Sequence, residues 1–367
     1  MTTRLPERNL DILRAVAVLC VLTDHLVRIW YPAIGPVPMA QLGTFGVYIF
    51  FVHTSLVLMP SLERLRISGA TRTHWMIAFY GRRAFRIYPL AWVAIGLALL
   101  LHVPPYFLNK WNVVHSFTMP GKRQLIGNFL LCQNLIGVHD ILTPMWSLAV
   151  EVQMYLVLPF FFLIARRSLG LLIAVGCAGL AASFVQWHVQ LSDWNAPVLW
   201  RLTVLAYAPC FTSGVLAYAL LYRRGRTKAA GHLTLLPPWI LALLLAAALM
   251  LFITSWRLGG LAWYWPVCPL LALLIPYITE SPPNAITRVA KQIATYSYGI
   301  YLLHPFAIWI AFETLRPYGA VVQWTSFALL LVALPAVAYH LVEKPCIQLG
   351  HRLLHGPFTL AATTAVP

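Results

Sequence analysis

The chain has 367 residues, of which 60% are hydrophobic and 10% are charged, with 26 Lys and Arg against 10 Asp and Glu. A soluble domain carries about 25% charged residues, so this composition cannot cover a water-facing surface, and the high hydrophobicity excludes a disordered chain. The net charge of +16 does not indicate nucleic-acid binding, because membrane proteins concentrate Lys and Arg in their cytoplasmic loops. The composition is typical of a polytopic helical membrane protein.

A helix of about 20 apolar residues spans a bilayer, and windows of that length predict an all-α bundle of about ten transmembrane helices. The predicted spans are 10–30, 42–61, 84–103, 146–165, 169–187, 200–222, 236–255, 261–279, 293–312 and 322–342. Segment 124–140 is apolar but short, so we interpret it as a re-entrant or interfacial helix. Residues 1–350 then form one transmembrane domain, and 351–367 form a short, poorly ordered cytoplasmic tail.

The basic residues predict the orientation of this bundle. With the N-terminus inside, 18 Lys and Arg fall on the inner side, 7 fall on the outer side and Arg14 lies within the first span. This asymmetry follows the positive-inside rule, so we expect both termini in the cytoplasm.

The first span contains ionisable side chains, which are costly in lipid and therefore indicate function. Arg14 and His25 are separated by three helical turns plus about 20°, so they share a face about 16 Å apart. Arg14 offers a cation near the cytoplasmic end, and His25 offers an imidazole that can accept a proton near neutral pH. Alternatively, Arg14 snorkels or pairs with Asp11, and His25 is a core hydrogen-bond donor. Asp24 points away from His25, so we expect it to bind another helix or a substrate hydroxyl rather than to orient the ring.

Two arginines mark the cytoplasmic mouth of the third span. Arg83 and Arg86 are three residues apart and face the same side of a helix. Guanidinium groups suit phosphate recognition, so the pair is a candidate anion site. The alternative is ordinary anchoring at the cytoplasmic face.

The fourth span carries a polar stripe. Ser147, Glu151 and Tyr155 follow one another at helical spacing. Glu151 has no cation nearby in sequence, so its partner must come from another span. It is either a structural hydrogen-bond centre or a group with a direct chemical role.

The last two spans supply further candidates. Ser297, Tyr301 and His304 share one helix face, and Pro305 removes a backbone hydrogen bond and allows a kink. His304 is the second candidate base; the alternative is helix packing through the hydroxyl groups. Glu343 could neutralise an arginine of the cytoplasmic mouth, or it could be part of a helix stop before proline.

Motifs for several other chemistries are missing from the sequence. The six Cys show no metal-binding spacing, and there is no P-loop, H-E-x-x-H, G-x-G-x-x-G or D-x-D motif. We therefore expect no metal site and no resident cofactor.

Taken together, these motifs resemble the acyltransferase-3 family of bacterial membrane acyltransferases. The resemblance runs over essentially the whole chain and rests on Leu10-Asp-Ile-Leu-Arg-Ala-Val-Ala with His25, Phe50-Phe-Val, Arg83-Ala-Phe-Arg86, Trp146-Ser-Leu-Ala-Val-Glu151, Ser297-Tyr-Gly-Ile-Tyr and Val342-Glu-Lys-Pro. It implies a ten-helix bundle in the bacterial inner membrane. Such an enzyme moves an acyl group, usually acetyl, from cytoplasmic acetyl-CoA to a hydroxyl of an envelope glycan, a lipid-linked sugar or a small molecule.

The resemblance also implies roles for particular residues. His25 resembles the catalytic histidine and Arg14 its partner, which we expect to assist donor binding, while Arg83 and Arg86 resemble the donor-binding pair. The other members of the implied functional set are Trp146, Glu151 and Glu343. The second span departs from the family pattern, since Tyr48 replaces an acid and His53 is an added candidate for the pocket.

In the mechanism that we expect, acyl-CoA docks at the arginine mouth, its pantetheine arm passes Arg14, and His25 deprotonates the acceptor hydroxyl. A proton-coupled transporter or exporter that uses His25, Asp24 and His304 as a relay is the main alternative. A metal-independent sugar transferase acting with lipid-linked sugars is a second one. The sequence does not identify the acceptor, the acyl length or the oligomeric state.

Overall fold

The computed structural model describes residues 6–27, 33–34, 37–67, 71–104, 117–190, 203–226, 236–257 and 267–354. These residues form α-helices and one minimal antiparallel ladder, in which β1 (Ala33–Ile34) pairs with β2 (Val37–Pro38). The all-α class predicted from the sequence is confirmed. Residues 28–30, 200–202 and 261–266 of three predicted spans, and 355–367 of the predicted tail, lie outside the described residues.

Fourteen α-helices follow one another in the described residues. They are α1 (Glu7–Val27), α2 (Met39–Ile67), α3 (Arg72–Leu100), α4 (Lys122–Phe129), α5 (Gln133–Ile136), α6 (Met145–Arg167), α7 (Leu169–Gln190), α8 (Thr203–Ala206), α9 (Ala208–Arg226), α10 (Ile240–Arg257), α11 (Val267–Leu274), α12 (Ala285–Trp309), α13 (Gly319–Ala338) and α14 (Lys344–Leu353).

Two π-helical turns interrupt the last helices. Ile310–Thr314 continues α12, and Tyr339–Glu343 joins α13 to α14. Each turn follows a proline within the preceding helix, Pro305 in α12 and Pro335 in α13. Proline lacks an N–H and displaces the carbonyl four residues earlier, so the regular hydrogen-bond ladder is altered locally and the helix continues with a wider turn.

Four helical segments are long and apolar enough to cross a membrane: Leu42–Ile67, Thr73–Leu100, Met145–Arg167 and Arg316–Leu353. Leu169–Ala182, Ala208–Leu221 and Ile240–Leu251 are shorter apolar helices. The described part of the chain therefore contains several membrane-length helices, and the count of about ten spans remains a prediction.

Helix α2 lies at the centre of the bundle, where it packs against α1, α3, α6, α9 and α11. Its Gly46 permits the close approach of α1, because a Cβ at this position would lie 2.5 Å from the carbonyl oxygen of Ala17. Small residues allow helix backbones to approach in membrane proteins. Helix α12 packs on the other side of α1 and also against α13.

The start of α1 is held beside the residues that precede α12. The side-chain amide of Asn9 donates to the Thr279 carbonyl (2.9 Å), and its oxygen accepts from the Ser281 hydroxyl (2.6 Å). Arg8 donates to the Ser281 carbonyl (2.7 Å). These contacts fix where α1 begins relative to α12, the two helices that carry most of the candidate site.

Segment 124–140 forms α4 and α5, which have eight and four residues and are too short to cross a bilayer. Polar side chains fold the segment onto itself: Asn128 donates to the His139 carbonyl (3.0 Å), and Gln133 donates to the Asp140 carboxylate (2.9 Å). Burial raises the pKa of Asp140 to about 6, although the hydrogen bond from Gln133 lowers it. The arrangement agrees with a non-spanning segment.

Candidate active site

Helices α1 and α12 run side by side in the same direction and bring together two pairs of predicted site residues. Nε of Arg14 donates to the Ser297 hydroxyl (2.6 Å), and His25 contacts His304 (2.6 Å). The pairs are about 16 Å apart along α1 and about 10 Å apart along α12. On α12 the two pairs are joined by Tyr301, which lies between Ser297 and His304 on the same face.

The two candidate bases form a buried pair. Nδ1 of His25 lies 2.6 Å from Nε2 of His304, and the rings meet edge to edge with centroids 4.9 Å apart and an interplanar angle of 15°. The residues are 7% and 1% exposed. On the far side of the pair, Nδ1 of His304 lies 3.1 Å from the Ile300 carbonyl oxygen. Burial of two imidazoles in an apolar bundle is expected only where each is hydrogen-bonded.

Asp24 lies close to His25. Its Oδ2 is 3.8 Å from Nε2 of His25, which is too long for a hydrogen bond, so this contact does not contradict the expectation that Asp24 does not orient the ring directly. Neighbouring Cβ atoms on a helix diverge, but rotation about the side-chain bonds brings these two groups back together. The same carboxylate also packs on α2 at Gly43, where any Cβ would overlap Oδ2. Asp24 therefore contacts another helix, as predicted, and the histidine as well.

A cavity of about 60 Å³ opens along the Arg14 side of this face. The polar groups of its lining come from α1, α2, α3, α6 and α12: Arg14, Thr54, Arg86, Ser147, Glu151, Tyr155, Ser297, Tyr298 and Tyr301. Tyr301 connects the cavity to the histidines, because its ring centroid lies 6.4 Å from that of His304. A cavity of this size holds a few water molecules.

The polar stripe of α6 forms one wall of the cavity. The Tyr155 hydroxyl donates to the Glu151 carboxylate in a short hydrogen bond, and the hydroxyls of Ser147 and Tyr301 share another. The cation that Glu151 lacks in sequence comes from other helices, since its charge acts on Arg14 and on Arg83. The stripe therefore ties α6 to α12 and places a carboxylate beside the arginines.

The two arginines of α3 are held differently. Nη1 of Arg86 lies 3.4 Å from Oε1 of Glu343, whose side chain is fully buried. Arg83 is half-buried, and its buried Nε has no hydrogen-bond partner among the described residues. Glu343 thus meets an arginine of the mouth, and only Arg86 of the two lines the cavity.

Three other residues singled out in the sequence lie near the cavity but outside its described lining. His53 is buried on α2, next to the cavity-lining Thr54, and within reach of the charges of Arg14 and Arg86. Trp146 and Tyr48 instead pack against the ring of Tyr207, with centroids 5.9 and 5.8 Å away.

Sequence reasoning assigned no role in the site to three contributors to this region, although Phe50 is part of the Phe50-Phe-Val motif. Phe50 and Thr54 are one helical turn apart on α2 and both line the cavity, a spacing that the sequence does display. Tyr207 lies in the break between α8 and α9, whereas the hydropathy pattern predicted one uninterrupted span. Among the described residues, no group of three or more His, Cys, Asp or Glu side chains could hold a metal ion.

The sequence pattern of a family described as "Acyltransferase domain", acyltransferase-3, matches residues 7–340. The chain belongs to this acyltransferase family. The resemblance inferred from the motifs is confirmed, and it covers α1 to the turn between α13 and α14, which includes the whole of the cavity lining.

The sequence of this acyltransferase-3 chain is similar to those of several bacterial proteins. The chain is 27% identical to Nodulation protein 10 of Rhizobium leguminosarum bv. viciae, over 95% of each protein, and 26% identical to Acyltransferase MdmB of Streptomyces mycarofaciens, over 94% of this chain and 92% of that protein. It is 25% identical to a Bacillus subtilis protein named provisionally as the peptidoglycan O-acetyltransferase YrhL, over 94% of this chain.

The lengths of these relatives differ. The chain spans 55% of the length of the Bacillus subtilis protein. The remainder of that protein is not aligned with this chain. No solved structure is significantly similar to this chain. The family match makes this chain a member of an acyltransferase family, and two of these relatives are themselves named as acyltransferases, one of them as an O-acetyltransferase.

Proposed function

We propose that the protein is a membrane O-acyltransferase that moves an acetyl group from cytoplasmic acetyl-CoA to a hydroxyl of a carbohydrate of the cell envelope, with His25 as general base. In this proposal the chain crosses the bacterial inner membrane about ten times, with both termini in the cytoplasm. The observation that carries the proposal is the polar stripe of α12, in which Ser297 contacts Arg14, Tyr301 lines the cavity and His304 contacts His25.

The anionic end of the donor meets the arginines first. Guanidinium groups suit phosphate recognition. Arg83 and Arg86 lie three residues apart on α3, and Arg86 lines the cavity together with Arg14. The pantetheine arm then extends through the cavity past Arg14 and Ser297 toward Tyr301. Because the cavity holds only a few waters, admitting this arm requires the side chains that line it to move apart.

The transfer itself is a single exchange of bonds at the thioester. His25 takes the proton of the acceptor hydroxyl as its oxygen forms the new C–O bond, and the C–S bond then breaks. The departing thiolate takes the proton back from His25, which leaves an ester, free CoA thiol and a neutral histidine. Arg14 is held near Ser297, about 16 Å along α1 from His25, so it serves donor binding rather than the reacting atoms.

The acceptor class is supported by the names of relatives. One is a Listeria monocytogenes protein named as a peptidoglycan O-acetyltransferase, 29% identical over 44% of this chain, and another is the Exopolysaccharide production protein ExoZ of Rhizobium meliloti, 24% identical over 84%. We therefore propose a glycan hydroxyl as the acceptor.

The experiment uses purified full-length protein in detergent with acetyl-CoA and envelope glycans, and it follows both thiol release and the gain of an acetyl mass on the glycan. We expect His25→Ala to lower the rate by about 10²–10⁴-fold, the range for loss of a general base. His74→Gln, on the exposed start of α3, is the matched control and should retain activity. Full activity of the His25 variant would refute the base, and pH-driven solute flux without thiol release, after reconstitution of the same protein into sealed lipid vesicles, would favour a transporter.

A further inference from the structure

We propose that His304 is a positioning residue that holds the proton on Nδ1 of His25, so that Nε2 of His25 is the atom that accepts the proton of the acceptor. This inference rests on the proposed function, since it assigns the reacting atom of the same site. It follows from a chain of three hydrogen-bonding groups on α1 and α12, the Ile300 carbonyl, His304 and His25, whose donors and acceptors determine one another.

The chain begins at the backbone carbonyl of Ile300. A carbonyl oxygen only accepts, and it lies 3.1 Å from Nδ1 of His304, so this nitrogen carries a proton. A neutral imidazole has one N–H and one lone pair, which leaves the lone pair of His304 on Nε2. A doubly protonated His304 is disfavoured because the residue is 1% exposed within an apolar bundle.

The second step fixes the protonation of His25. Its Nδ1 lies 2.6 Å from Nε2 of His304, a separation that requires a shared proton. Because Nε2 of His304 holds a lone pair, the proton belongs to Nδ1 of His25. The remaining nitrogen of His25, Nε2, is then the basic one.

Asp24 acts on the same ring in the opposite sense before the reaction. A carboxylate near Nε2 favours a proton on that nitrogen, but Oδ2 is 3.8 Å away, beyond hydrogen-bond distance. The 2.6 Å contact on the other side therefore decides the resting state. Once Nε2 takes the proton, the imidazolium gains the attraction of Asp24, and an interaction that strengthens only as charge develops speeds the chemical step.

The arrangement also limits where the proton can go. A relay through His25 and His304 would have to pass its proton to the Ile300 carbonyl, which cannot take and release protons as a base does. The proton on Nδ1 of His25 stays in place while Nε2 gains a proton from the acceptor and returns it to the leaving sulfur. This geometry suits group transfer better than proton conduction along α12.

Helix α12 holds His304 rigidly enough for this role. One turn earlier, the Tyr301 hydroxyl bonds to Ser147 and lies 3.3 Å from the Pro144 carbonyl oxygen, which ties the helix to the start of α6. Pro305 directly follows His304 and fixes the backbone. A histidine this buried has few alternative rotamers.

The first test compares two variants of His304 in the acetyl-CoA assay. Gln can place its side-chain oxygen where Nε2 of His304 lies and accept from Nδ1 of His25, whereas Leu has similar bulk and no acceptor. We expect His304→Leu to lower kcat by about 10²–10⁴-fold, as loss of a correctly protonated base does, with the KM for acetyl-CoA unchanged. His304→Gln should remain within about tenfold of the parent. Equal kcat values for the two variants would overturn the proposal, provided that both show the parent thermal midpoint.

The second test is independent of activity. Nitrogen NMR of protein labelled with ¹⁵N-histidine, with His25→Gln as the assignment control, reports which nitrogen of His25 carries the proton. We expect a protonated Nδ1 and an unprotonated Nε2 in the parent, and a mixture of both forms in His304→Leu. A proton on Nε2 in the parent would overturn this inference even if thiol release is observed. Absence of thiol release with the expected spectrum would instead refute only the proposed function.

Discussion

At the scale of single residues, the arginine and carboxylate pairs raise the question of whether a buried charge serves the fold or the substrate. Arg86 is both the ion-pair partner of Glu343 and part of the cavity lining. A buried ion pair contributes little net stability, but removal of one partner leaves an uncompensated charge, which costs about 3–5 kcal/mol. Single substitutions at Arg86 therefore mix the two roles.

A double substitution separates them. Arg86→Gln should lower the thermal midpoint strongly, because the Glu343 carboxylate is left in an apolar site, and Arg86→Gln with Glu343→Gln should recover most of that loss. The KM for acetyl-CoA should stay raised in both proteins, because neither has the guanidinium group. The measurements are thermal unfolding in detergent and steady-state kinetics. If the double variant recovered the parent KM, Arg86 would have a structural role only.

A second prediction at this scale concerns Asp140, whose pKa burial raises to about 6. The raised pKa means that the folded protein prefers the protonated carboxyl, so this stabilisation is complete below about pH 4 and is lost as the pH rises through 6. We expect Asp140→Asn to raise the free energy of unfolding at pH 7.5 by on the order of 2 kcal/mol, which is measured as a higher thermal midpoint. The substitution should have little effect at pH 4. The new amide can donate to Oε1 of Gln133, which has no other partner among the described residues.

The control for that measurement is Glu313→Gln, which removes one negative charge from an exposed position. It should not reproduce the difference between the two pH values. A midpoint of Asp140→Asn that is raised equally at both pH values would contradict the explanation, because the effect would then not depend on ionisation.

At the scale of elements, the contact between α1 and α2 determines whether His25 and Asp24 are correctly placed. Two glycines on α2, Gly43 and Gly46, make this contact possible because each faces α1 with no room for a side chain. Close helix packing of this kind places the Asp24 carboxylate between α2 and the histidine ring. The site therefore depends on residues that carry no chemistry.

Gly46→Ala tests this dependence. The added methyl would lie 2.5 Å from the Ala17 carbonyl oxygen and must push α1 away, and overpacking of this kind costs about 1–3 kcal/mol. We expect a lower thermal midpoint and a lower kcat. Gly96→Ala on α3 is the matched control, since a Cβ there meets nothing within 4 Å and alanine favours a helix. A midpoint of Gly46→Ala equal to that of the control would show that the helices are not in close contact.

At the scale of the whole molecule, the orientation in the membrane decides which substrate reaches which end of the site. The distribution of basic residues predicts that the residues before α12 are cytoplasmic and that the start of α4 lies outside. Acetyl-CoA would then approach the arginines from the cytoplasm. The glycan would arrive from the opposite side.

Single cysteines in a cysteine-free background test this topology. Gly121→Cys and Pro283→Cys both place a thiol at an exposed position of the described chain. We expect a membrane-impermeant maleimide to label position 121 in intact spheroplasts and position 283 only after permeabilisation. The reverse pattern would invert the bundle and contradict delivery of acetyl-CoA from the cytoplasm.

The sequence by itself determined the helical membrane class, the family and the faces on which the polar residues lie. These are local properties: apolar length fixes whether a helix can cross a bilayer, and rotation by 100° per residue fixes which side chains share a face. The positions of Arg14, His25, Tyr301 and His304 on their helices follow from this periodicity alone.

Only the tertiary structure decided which faces meet. The contacts of His25 with His304 and of Arg86 with Glu343 join residues 279 and 257 positions apart, and no local pattern encodes them. The 3.8 Å separation of Asp24 from His25 also could not be read from the sequence, because backbone direction does not fix side-chain rotation. Distances between helices are set by how all their side chains pack against one another, so this part of the site requires the folded bundle.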